Sequence, residues 1–358
     1  MTNFTNLNDL TIVVLTCDRP DFVIRQIGFW DSYECSLLIV DGSSEPNRSI
    51  GYADQKNVSY LYSPSSFQER MLLAISHVNT EFVVLIPDDE FMIPAALDKF
   101  IGILKFDFEL SSIQGRALSF WVSRGTFVCK NQYRKFRNFQ FSKKLWKVRL
   151  YDFWSSENGY VVNYPVYSLM RSFQWKKLMS LVYEEKLNNA YAYEIKLNLL
   201  SPLFINSAVT NTLYWLRSEE NPPNSSEFFD RNVRFSKWYR DPQNAPDVNR
   251  FLGGVSSSVK KLDLEIREED LVLAVTNILD RYSLVESEKK LNVAYTQGRL
   301  SRGFKRFRIR LEAASLIALK RCFNFSPAVY RLKRASVDVD SRELTKISKL
   351  VELFHNGI

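Results

Sequence analysis

Short apolar runs alternate with amphipathic stretches in the first part of the chain. Four runs rich in Val, Leu and Ile are typical of buried strands: 11–15, 36–40, 58–62 and 81–86. Helices are predicted to begin near Pro20 and near Pro94, and a further helix is predicted to start at Ser66, which forms a capping box with Glu69. This alternation predicts an α/β fold, with a mostly parallel sheet flanked by helices.

Polar residues follow three of these predicted strands at the point where each strand ends: Thr16 to Arg19, Asp41, and the acidic triplet Asp88-Asp89-Glu90. Because ligands bind beyond the carboxyl ends of parallel strands, we expect the three groups to lie close together. Neighbouring carboxylates repel one another, and a bound Mn²⁺ or Mg²⁺ would relieve that repulsion. The triplet is therefore a candidate metal and diphosphate site; the alternative is a solvated acidic turn that caps the next helix.

The candidates for binding a ligand at this edge also include two residues of these groups, Asp41 and Arg19, and Arg70 on the helix that starts at Ser66. A carboxylate at Asp41 can accept a hydrogen bond from a nucleobase or a ribose hydroxyl, although Asp is also common in turns. Arg19 and Arg70 are suited to phosphate, and the alternative for Arg19 is an ordinary surface charge.

The second part of the chain has a different pattern. Residues 218–258 are rich in Asn, Pro, Ser and Gly, which indicates a long excursion or a linker. A helical pattern follows, with Leu271, Val275, Ile278 and Leu279 on one face. We therefore predict a domain of residues 1–258 followed by a mainly helical region of residues 259–358.

The charge is concentrated near the C-terminus. The chain has a formal net charge of +8, and the segment from Arg299 to Arg334 has eleven Lys or Arg residues against one acid, Glu312. A basic amphipathic helix is predicted there, with an apolar face made of Phe304, Phe307, Leu311, Ala314 and Ala318. Such a helix can bind an anionic membrane surface, or it can pack on the first domain or on another subunit. No nucleic-acid-binding motif accompanies the charge, which argues against a nucleic-acid partner.

Several classes of protein are disfavoured by what the sequence lacks. There is no apolar run long enough to span a membrane and no signal-peptide pattern, and the four cysteines have neither zinc nor redox spacing. These features predict a cytoplasmic protein with reduced thiols. The two histidines, His77 and His355, argue against a Ser-His-Asp mechanism, and the chain has no GxGxxG, P-loop, HExxH or GxSxG motif.

The chain resembles the family 2-like GT-A glycosyltransferases in three segments: 11–20 (TIVVLTCDRP), 38–44 (LIVDGSS) and 83–91 (VVLIPDDEF). The third is similar to the Asp-Asp-Asp-Phe motif of a bacterial surface-polysaccharide subgroup. Weaker similarity follows in three further segments, which end at Arg171, Glu194 and Arg217. The chain departs from the family at Cys17, where an aromatic residue is common, at Asp18, which replaces Asn, and at Glu90, which replaces the third Asp.

The resemblance implies a GT-A (Rossmann-like) fold and the transfer of a sugar from a nucleotide-diphosphate donor to a glycan or lipid-linked acceptor, with inversion, in bacterial surface polysaccharide synthesis. It implies Glu194 as the catalytic base, with Asp152, Glu184 and Glu185 as rivals. Asp88 and Glu90 would steady the leaving diphosphate, directly or through Mn²⁺ or Mg²⁺. The implied substrate-binding residues are Thr16, Asp18, Arg19, Asp41, Arg70, Asp88, Asp89, Arg171 and Arg217. A peripheral location on the inner face of the cell membrane would suit this role, and a homo-oligomer is left open.

Two alternative functions come from other classes. A nucleotidyltransferase also has acidic groups at a sheet edge, but it would have a Gly-rich loop after the first strand, where this chain has Thr16-Cys-Asp-Arg-Pro20. A non-catalytic module derived from a transferase would bind glycan or membrane, and the replacement at Glu90 keeps that hypothesis open.

Overall fold

The computed structural model of the chain describes residues 7–47, 57–132, 139–141, 145–154, 165–220, 234–296, 327–334 and 336–357. Within these ranges ten strands form one sheet in the order β3-β2-β1-β4-β9-β6-β10-β5, with β7 beside β6 and β8 beside β10. The strands are β1 (Leu10–Thr16), β2 (Ser36–Asp41), β3 (Val58–Tyr62), β4 (Phe82–Pro87), β5 (Phe91–Met92), β6 (Ser112–Ser123), β7 (Thr126–Asn131), β8 (Phe139–Phe141), β9 (Leu169–Arg171) and β10 (Ser207–Ser218).

Eleven α-helices of the described residues surround the sheet. They are α1 (Pro20–Trp30), α2 (Phe67–His77), α3 (Pro94–Phe106), α4 (Trp146–Phe153), α5 (Ser172–Tyr183), α6 (Ala190–Phe204), α7 (Phe235–Arg240), α8 (Ala245–Lys261), α9 (Glu268–Thr296), α10 (Pro327–Arg334) and α11 (Ser341–His355). The expected α/β class, with flanking helices and a helical C-terminal region, is confirmed.

The pairing of the strands divides the sheet into two parts. Strands β3, β2, β1 and β4 are parallel throughout, as the alternation of strands and helices predicts. Beyond β4 the sheet is mixed, because the short strand β9 is antiparallel to both β4 and β6. β10 is parallel to β6 but antiparallel to β5 and β8. The parallel part therefore brings the carboxyl ends of β1, β2 and β4 to one edge.

Alternate residues of the buried strands supply two cores. In β1, Ile12 and Val14 face one core, which includes side chains of α1, α3 and α11, whereas Val13 faces the other, which includes side chains of α2, α5, α6, α8 and α9. A strand that is buried on both faces has a continuous apolar run instead of alternating polarity. This is why β1, β2 and β4 are readily recognised in the sequence, whereas the edge strand β3 has no fully buried residue.

Residues at the N-termini of these helices explain where the helices begin. Pro20 and Pro94 each lie in the first turn of a helix, where the absent N–H is no loss. At the start of α2, Ser66 accepts a hydrogen bond from the backbone N–H of Glu69, and the Glu69 side chain accepts one from the backbone N–H of Ser66. The predicted capping box is confirmed.

The expectation of an excursion or linker over 218–258 is wrong for most of the segment that the structure describes. Residues 245–261 form α8, because Val248, Phe251, Val255 and Val259 recur at helical spacing and are buried in the second core. Gly254 lies under the Glu185 carboxylate, which would have to move to make room for a side chain at this position. The predicted domain boundary after residue 258 falls within this helix, and the division into two domains stays a prediction.

The C-terminal helices that the structure describes belong to the first core. Side chains of α10 and α11, together with Val337, pack with those of β1 and α3. The predicted basic amphipathic helix, with Phe304, Phe307, Leu311, Ala314 and Ala318, lies outside the described residues. Across the described ranges, no helix is long and apolar enough to cross a membrane.

Gly115 in β6 provides a test of the packing between β6 and β10. A Cβ at this position would lie 2.2 Å from the carbonyl oxygen of Thr212 and 2.8 Å from the Cβ of Tyr214. Gly115→Ala is therefore expected to lower the free energy of unfolding by about 1–3 kcal/mol, measured by urea denaturation.

The matched control is Gly102→Ala on α3, where nothing lies within 4 Å of the added Cβ. Because Ala is the better helix former, this variant is expected to be more stable than the wild type by about 0.5–1 kcal/mol. Equal effects of the two substitutions would contradict the packing described for β6 and β10.

Candidate functional site

Three strand ends meet as the sequence predicts. Thr16 at the end of β1 lies beside Asp41 at the end of β2, and Leu15 lies beside Pro87 of β4. The Thr16 hydroxyl donates a 2.7 Å hydrogen bond to Oδ2 of Asp88, which directly follows β4. The ends of the first and fourth strands are thus joined by side chains as well as by the sheet.

Arg19 is the cation that faces the acidic triplet. Its Nη1 lies 2.7 Å from Oδ1 of Asp88, and its Nη2 lies 3.0 Å from Oδ2 of Asp89. The guanidinium also packs 4.4 Å from the centre of the Phe22 ring. The Arg19 side chain is 16% exposed, so it connects the buried carboxylate of Asp88 with the surface.

Asp88 is nearly buried, and burial raises its pKa from 3.8 to about 6. The neighbouring carboxylate of Asp89 raises the pKa further, while Arg19 and the Thr16 hydroxyl oppose the rise. An acid of this kind changes its charge near neutral pH, at the point where the strand ends converge.

Glu90 points away from Asp88 and into the protein. Its Oε2 accepts a 2.6 Å hydrogen bond from Nε1 of Trp215 in β10. Burial raises the pKa of Glu90 well above its ordinary value, and the adjacent Asp89 adds to this effect. Arg217, which was expected at the site, lies close enough to Glu90 to oppose the rise.

The peptide groups of the triplet are held from α1. Gln26 Nε2 donates to the carbonyl oxygens of Asp88, at 2.9 Å, and of Glu90, at 2.6 Å. Arg25 Nη2 donates to the carbonyl oxygen of Asp89 at 2.9 Å. All three backbone carbonyls of the triplet therefore accept hydrogen bonds from two neighbouring side chains of one helix.

The carboxylate of Asp41 is buried and accepts hydrogen bonds from residues of the site itself. Its Oδ1 accepts hydrogen bonds from the backbone N–H of Ser43, at 2.9 Å, and from the Ser43 hydroxyl, and its Oδ2 accepts one from the Tyr60 hydroxyl at 2.5 Å. Asp41 is 1% exposed. The expected direct contact with a nucleobase or ribose is therefore not available in this arrangement, in which Asp41 instead orients Ser43 and Tyr60.

An open cleft of about 640 Å³ lies beside these groups and is lined by Asp18, Pro20, Ser43, Ser44, Glu45, Pro46 and Asn47. Asp18 has a φ of 55°, in the left-handed region that Asp adopts more readily than most residues. This conformation lets the Asp18 carboxylate accept a 3.0 Å hydrogen bond from the backbone N–H of Ser44, while the backbone N–H of Asp18 donates to the Ser43 hydroxyl at 2.7 Å. The loops after β1 and β2 therefore form one wall of the cleft.

Arg70 lies beneath this wall. It donates through Nη1 to the carbonyl oxygen of Thr16, and its guanidinium fills the space where Gly42 has no side chain. Burial lowers the pKa of Arg70. Arg70, which was expected to bind phosphate, thus contacts the ends of β1 and β2 from inside the protein.

Asp88 and Glu90, predicted as metal ligands, do not fit a shared Mn²⁺ or Mg²⁺ in this arrangement. A hard cation needs carboxylate oxygens that are open to it. The oxygens of Asp88 contact Thr16 and Arg19, whereas the Glu90 carboxyl group faces Trp215. Among the described residues, no group of three or more His, Cys, Asp or Glu side chains is arranged to hold a metal ion. The Mn²⁺ or Mg²⁺ stays a prediction.

Arg171 does not lie at this edge of the sheet, and its expected role in binding the substrate stays a prediction. It pairs with Phe82 at the start of β4, the opposite end of that strand from Asp88. Its guanidinium donates to carbonyl oxygens at the end of α3 and just beyond it, those of Leu104 and Asp107. The reason is that β9 is antiparallel to β4, so the end of β9 lies at the opposite edge of the sheet.

The predicted base Glu194 and its rival Asp152 lie on helices over the second core, and the rivals Glu184 and Glu185 directly follow α5. Glu194 is exposed in α6 and close enough to Tyr183 to raise the pKa of its phenol, although burial is the main cause of that rise. Glu184 pairs with Lys261, and Glu185 lies 3.3 Å from the buried ammonium of Lys196. Asp152 lies on α4. The assignment of Glu194 as the base stays a prediction.

Sequence reasoning missed five residues of this site: Arg25, Gln26, Tyr60, Trp215 and Glu220. One signal was present in α1, where Val23, Gln26, Ile27 and Trp30 form a helical stripe of buried residues that only Gln26 interrupts. A polar residue within an apolar stripe must find partners inside the protein. The other four depend on contacts between elements that are distant in the chain.

The raised pKa of Asp88 gives a test by pH. The folded chain holds this proton more tightly than the unfolded chain, so the stability from this group is complete below pH 3.8 and is lost as the pH rises through about 6. Relative to Asp88→Asn, the wild type should therefore lose about 2–3 kcal/mol of unfolding free energy between pH 4 and pH 7, measured by urea denaturation. Asp31→Asn, at the exposed end of α1, is the control and should follow the wild type. Parallel curves for the wild type and Asp88→Asn would rule out the buried acid.

The hydrogen bond between Trp215 and Glu90 gives a second test. Trp215→Phe removes the indole N–H donor, so the buried Oε2 of Glu90 loses this hydrogen bond. Trp175→Phe is the matched control, because Trp175 is fully buried and its Nε1 has no hydrogen-bond partner among the described residues. Trp215→Phe should cost about 1–3 kcal/mol more than Trp175→Phe in thermal or urea unfolding. Equal costs would show that the hydrogen bond contributes nothing.

Comparison with solved structures finds S. aureus TarS. The crystal structure of S. aureus TarS 1-349 matches with a TM-score of 0.44 and 12% identity, over 79% of this chain and 91% of that one. The complex of the same fragment with UDP-GlcNAc matches with a TM-score of 0.44 and 11% identity, over 79% and 92%. The longer S. aureus TarS structure matches with a TM-score of 0.42 and 12% identity, over 78% of this chain and 55% of that one. No protein-family model and no curated protein matches the chain. The function is therefore inferred from the site itself.

Proposed function

We propose that this chain transfers a sugar from a nucleotide-diphosphate donor to an acceptor hydroxyl. One observation carries the proposal: Thr16, Arg19, Asp41 and Asp88 meet at the carboxyl edge of the parallel strands, beside an open cleft. Ligands of α/β sheets bind at this edge. The resemblance of segments 11–20, 38–44 and 83–91 to glycosyltransferases supports the same function, because these segments form this edge.

The cleft suits the nucleoside part of the donor. Its volume of about 640 Å³ lies within the usual range for small-molecule sites. Its wall has the carboxylate of Asp18 and the hydroxyl of Ser44, which can accept and donate hydrogen bonds to a base or a ribose. Asp41 contributes by fixing Ser43 and Tyr60.

The diphosphate is assigned to the space next to Arg19. A guanidinium binds phosphate through paired N–H groups, and Arg19 is the partly exposed cation between the triplet and the loop that lines the cleft. When Arg19 turns toward phosphate, Asp88 loses a neutralising partner. Because the pKa of Asp88 is about 6, proton uptake by this acid can offset part of that loss.

The remaining steps rest on the resemblance. Glu194 would remove the proton from the acceptor hydroxyl as it attacks the anomeric carbon, with inversion. The acceptor would be a glycan or a lipid-linked saccharide in surface polysaccharide synthesis. Contact with an anionic membrane would involve the predicted basic amphipathic helix, which lies outside the described residues.

A nucleotide-sugar panel tests the proposal. Binding and turnover of each compound are measured, with and without Mn²⁺, for the wild type, Arg19→Ala and Arg342→Ala. Arg19→Ala should weaken donor binding at least about tenfold, since it removes a charge-assisted contact with phosphate. Arg342 is exposed on α11, and its substitution should leave donor binding unchanged.

In the same assay, Glu194→Gln should lower kcat by about 10²-fold or more without weakening donor binding.

Failure to bind or turn over any nucleotide sugar would refute the proposed function. Binding without turnover would identify a non-catalytic module instead. Equal donor affinity of the wild type and Arg19→Ala would show that the diphosphate lies elsewhere.

A further inference from the structure

The end of the C-terminal helix reaches the back of the acidic triplet. His355, the last residue of α11, has its Nε2 2.5 Å from Oε1 of Glu220. Glu220 Oε2 lies 3.1 Å from Nη1 of Arg25, and Arg25 Nη2 donates to the carbonyl oxygen of Asp89 at 2.9 Å. A continuous chain of polar contacts thus runs from α11 through Glu220 and α1 to the peptide of the triplet.

An aromatic contact runs alongside this polar chain. The ring of Phe354 lies 5.1 Å from that of Phe22, and the Arg25 guanidinium lies 4.6 Å from the centre of the Phe354 ring. On the same Phe22 ring, Arg19 packs at 4.4 Å and Arg25 at 4.7 Å. The two arginines nearest the triplet therefore share an aromatic support that α11 helps to hold in place.

Burial makes the polar chain sensitive to the loss of any member. The side chains of Arg25 and Glu220 are each 1% exposed, whereas His355 is 32% exposed. A buried ion pair gives little net stability, but removing one partner leaves a charge without compensation. Glu220 is also joined to Ser218, whose hydroxyl accepts a hydrogen bond from the backbone N–H of Glu220 at 3.1 Å. Ser218 in turn donates through its backbone to Glu90, so the network reaches the triplet from two directions.

We propose that Arg25 is a positioning residue for the acidic triplet and that Glu220 and His355 hold it in place. Arg25 fixes the carbonyl group of Asp89, and the orientation of that peptide decides where the carboxylates on either side of it point. The C-terminal helix α11 is thus part of the support of the donor site, although its last turn is more than 260 positions away from the triplet in the chain. The effect on donor binding rests on the proposed function, whereas the effect on the triplet itself does not.

Hydrogen exchange of the unliganded chain tests the part that is independent of any donor. Exchange is followed by mass spectrometry in peptides that cover residues 87–93, where the backbone N–H of Glu90 donates to the carbonyl of Pro87 and that of Ile93 donates to the carbonyl of Tyr214. His355→Ala and Glu220→Gln should each speed this exchange by about tenfold, because each removes a hydrogen bond to or from a charged group. Lys349→Ala, at an exposed position of the same helix, is the control and should leave the exchange unchanged.

The double variant Glu220→Gln/His355→Ala shows whether the two residues act through one another. If they do, its exchange rate should be close to that of Glu220→Gln alone, since coupled residues are not additive. His355→Gln keeps a side-chain N–H donor and should restore most of the protection. His355 lies on the surface, so its two single variants are expected to fold, whereas Glu220 is buried. Thermal unfolding is therefore measured for every variant.

Donor binding is the second measurement. With a nucleotide sugar that the wild type binds, His355→Ala and Arg25→Lys should raise the donor Kd by about tenfold while the acceptor KM stays constant. A purely structural role would lower the melting temperature and the active fraction without this selective change. If the wild type binds no nucleotide sugar, the proposed function fails, and the exchange measurement still decides the inference.

Two results would overturn the inference. One is exchange in residues 87–93 that is the same in His355→Ala as in Lys349→Ala. The other is full additivity of the Glu220 and His355 substitutions, which would show that the contact between them transmits nothing to Arg25.

Discussion

Three consecutive acids lie at the end of a buried strand. The arrangement of this site depends on the cations and hydrogen bonds that compensate their carboxylates and peptide groups. Asp88 and Glu90 are nearly inaccessible to water, and Asp89 lies between them. A buried carboxylate is costly unless a cation or several hydrogen bonds face it. Thr16 and Arg19 satisfy Asp88, Trp215 satisfies Glu90, and α1 satisfies the peptide groups. Strand β1, helix α1 and strand β10 are therefore bound to one another through the triplet as well as through the apolar cores.

Asp88 and Glu90 have different roles because different groups face their carboxyl groups. Asp88 faces the surface through Arg19 and has a pKa of about 6, so its charge can respond to a ligand. Glu90 faces the indole of Trp215, where burial favours the neutral form. Two acids that are two positions apart in the chain thus differ because their surroundings differ. This is also why Asp88 and Glu90 are not arranged to share one metal ion.

The helical C-terminal end contributes to the site from behind. Helix α11 packs its apolar face into the first core, and its last residues meet Glu220 and Phe22. The ion pair between Arg25 and Glu220 then connects this helix with the peptide of the triplet. Because the pair is fully enclosed, its geometry depends on the packing around it and not on the two side chains alone.

The sequence by itself determined the elements of the parallel half and the convergence of their ends. Apolar runs buried on both faces, prolines at helix starts and the capping box of Ser66 and Glu69 are local signals, and the direction of parallel strands decides which ends meet. Tertiary structure decided the rest. Arg171 lies at the opposite edge because β9 is antiparallel to β4, and Asp41 faces inward because Ser43 and Tyr60 engage its oxygens. Arg25, Trp215 and Glu220 join the site through contacts between residues that are far apart in the chain. No local pattern encodes such contacts, because they arise only when the sheet and both layers of helices have come together.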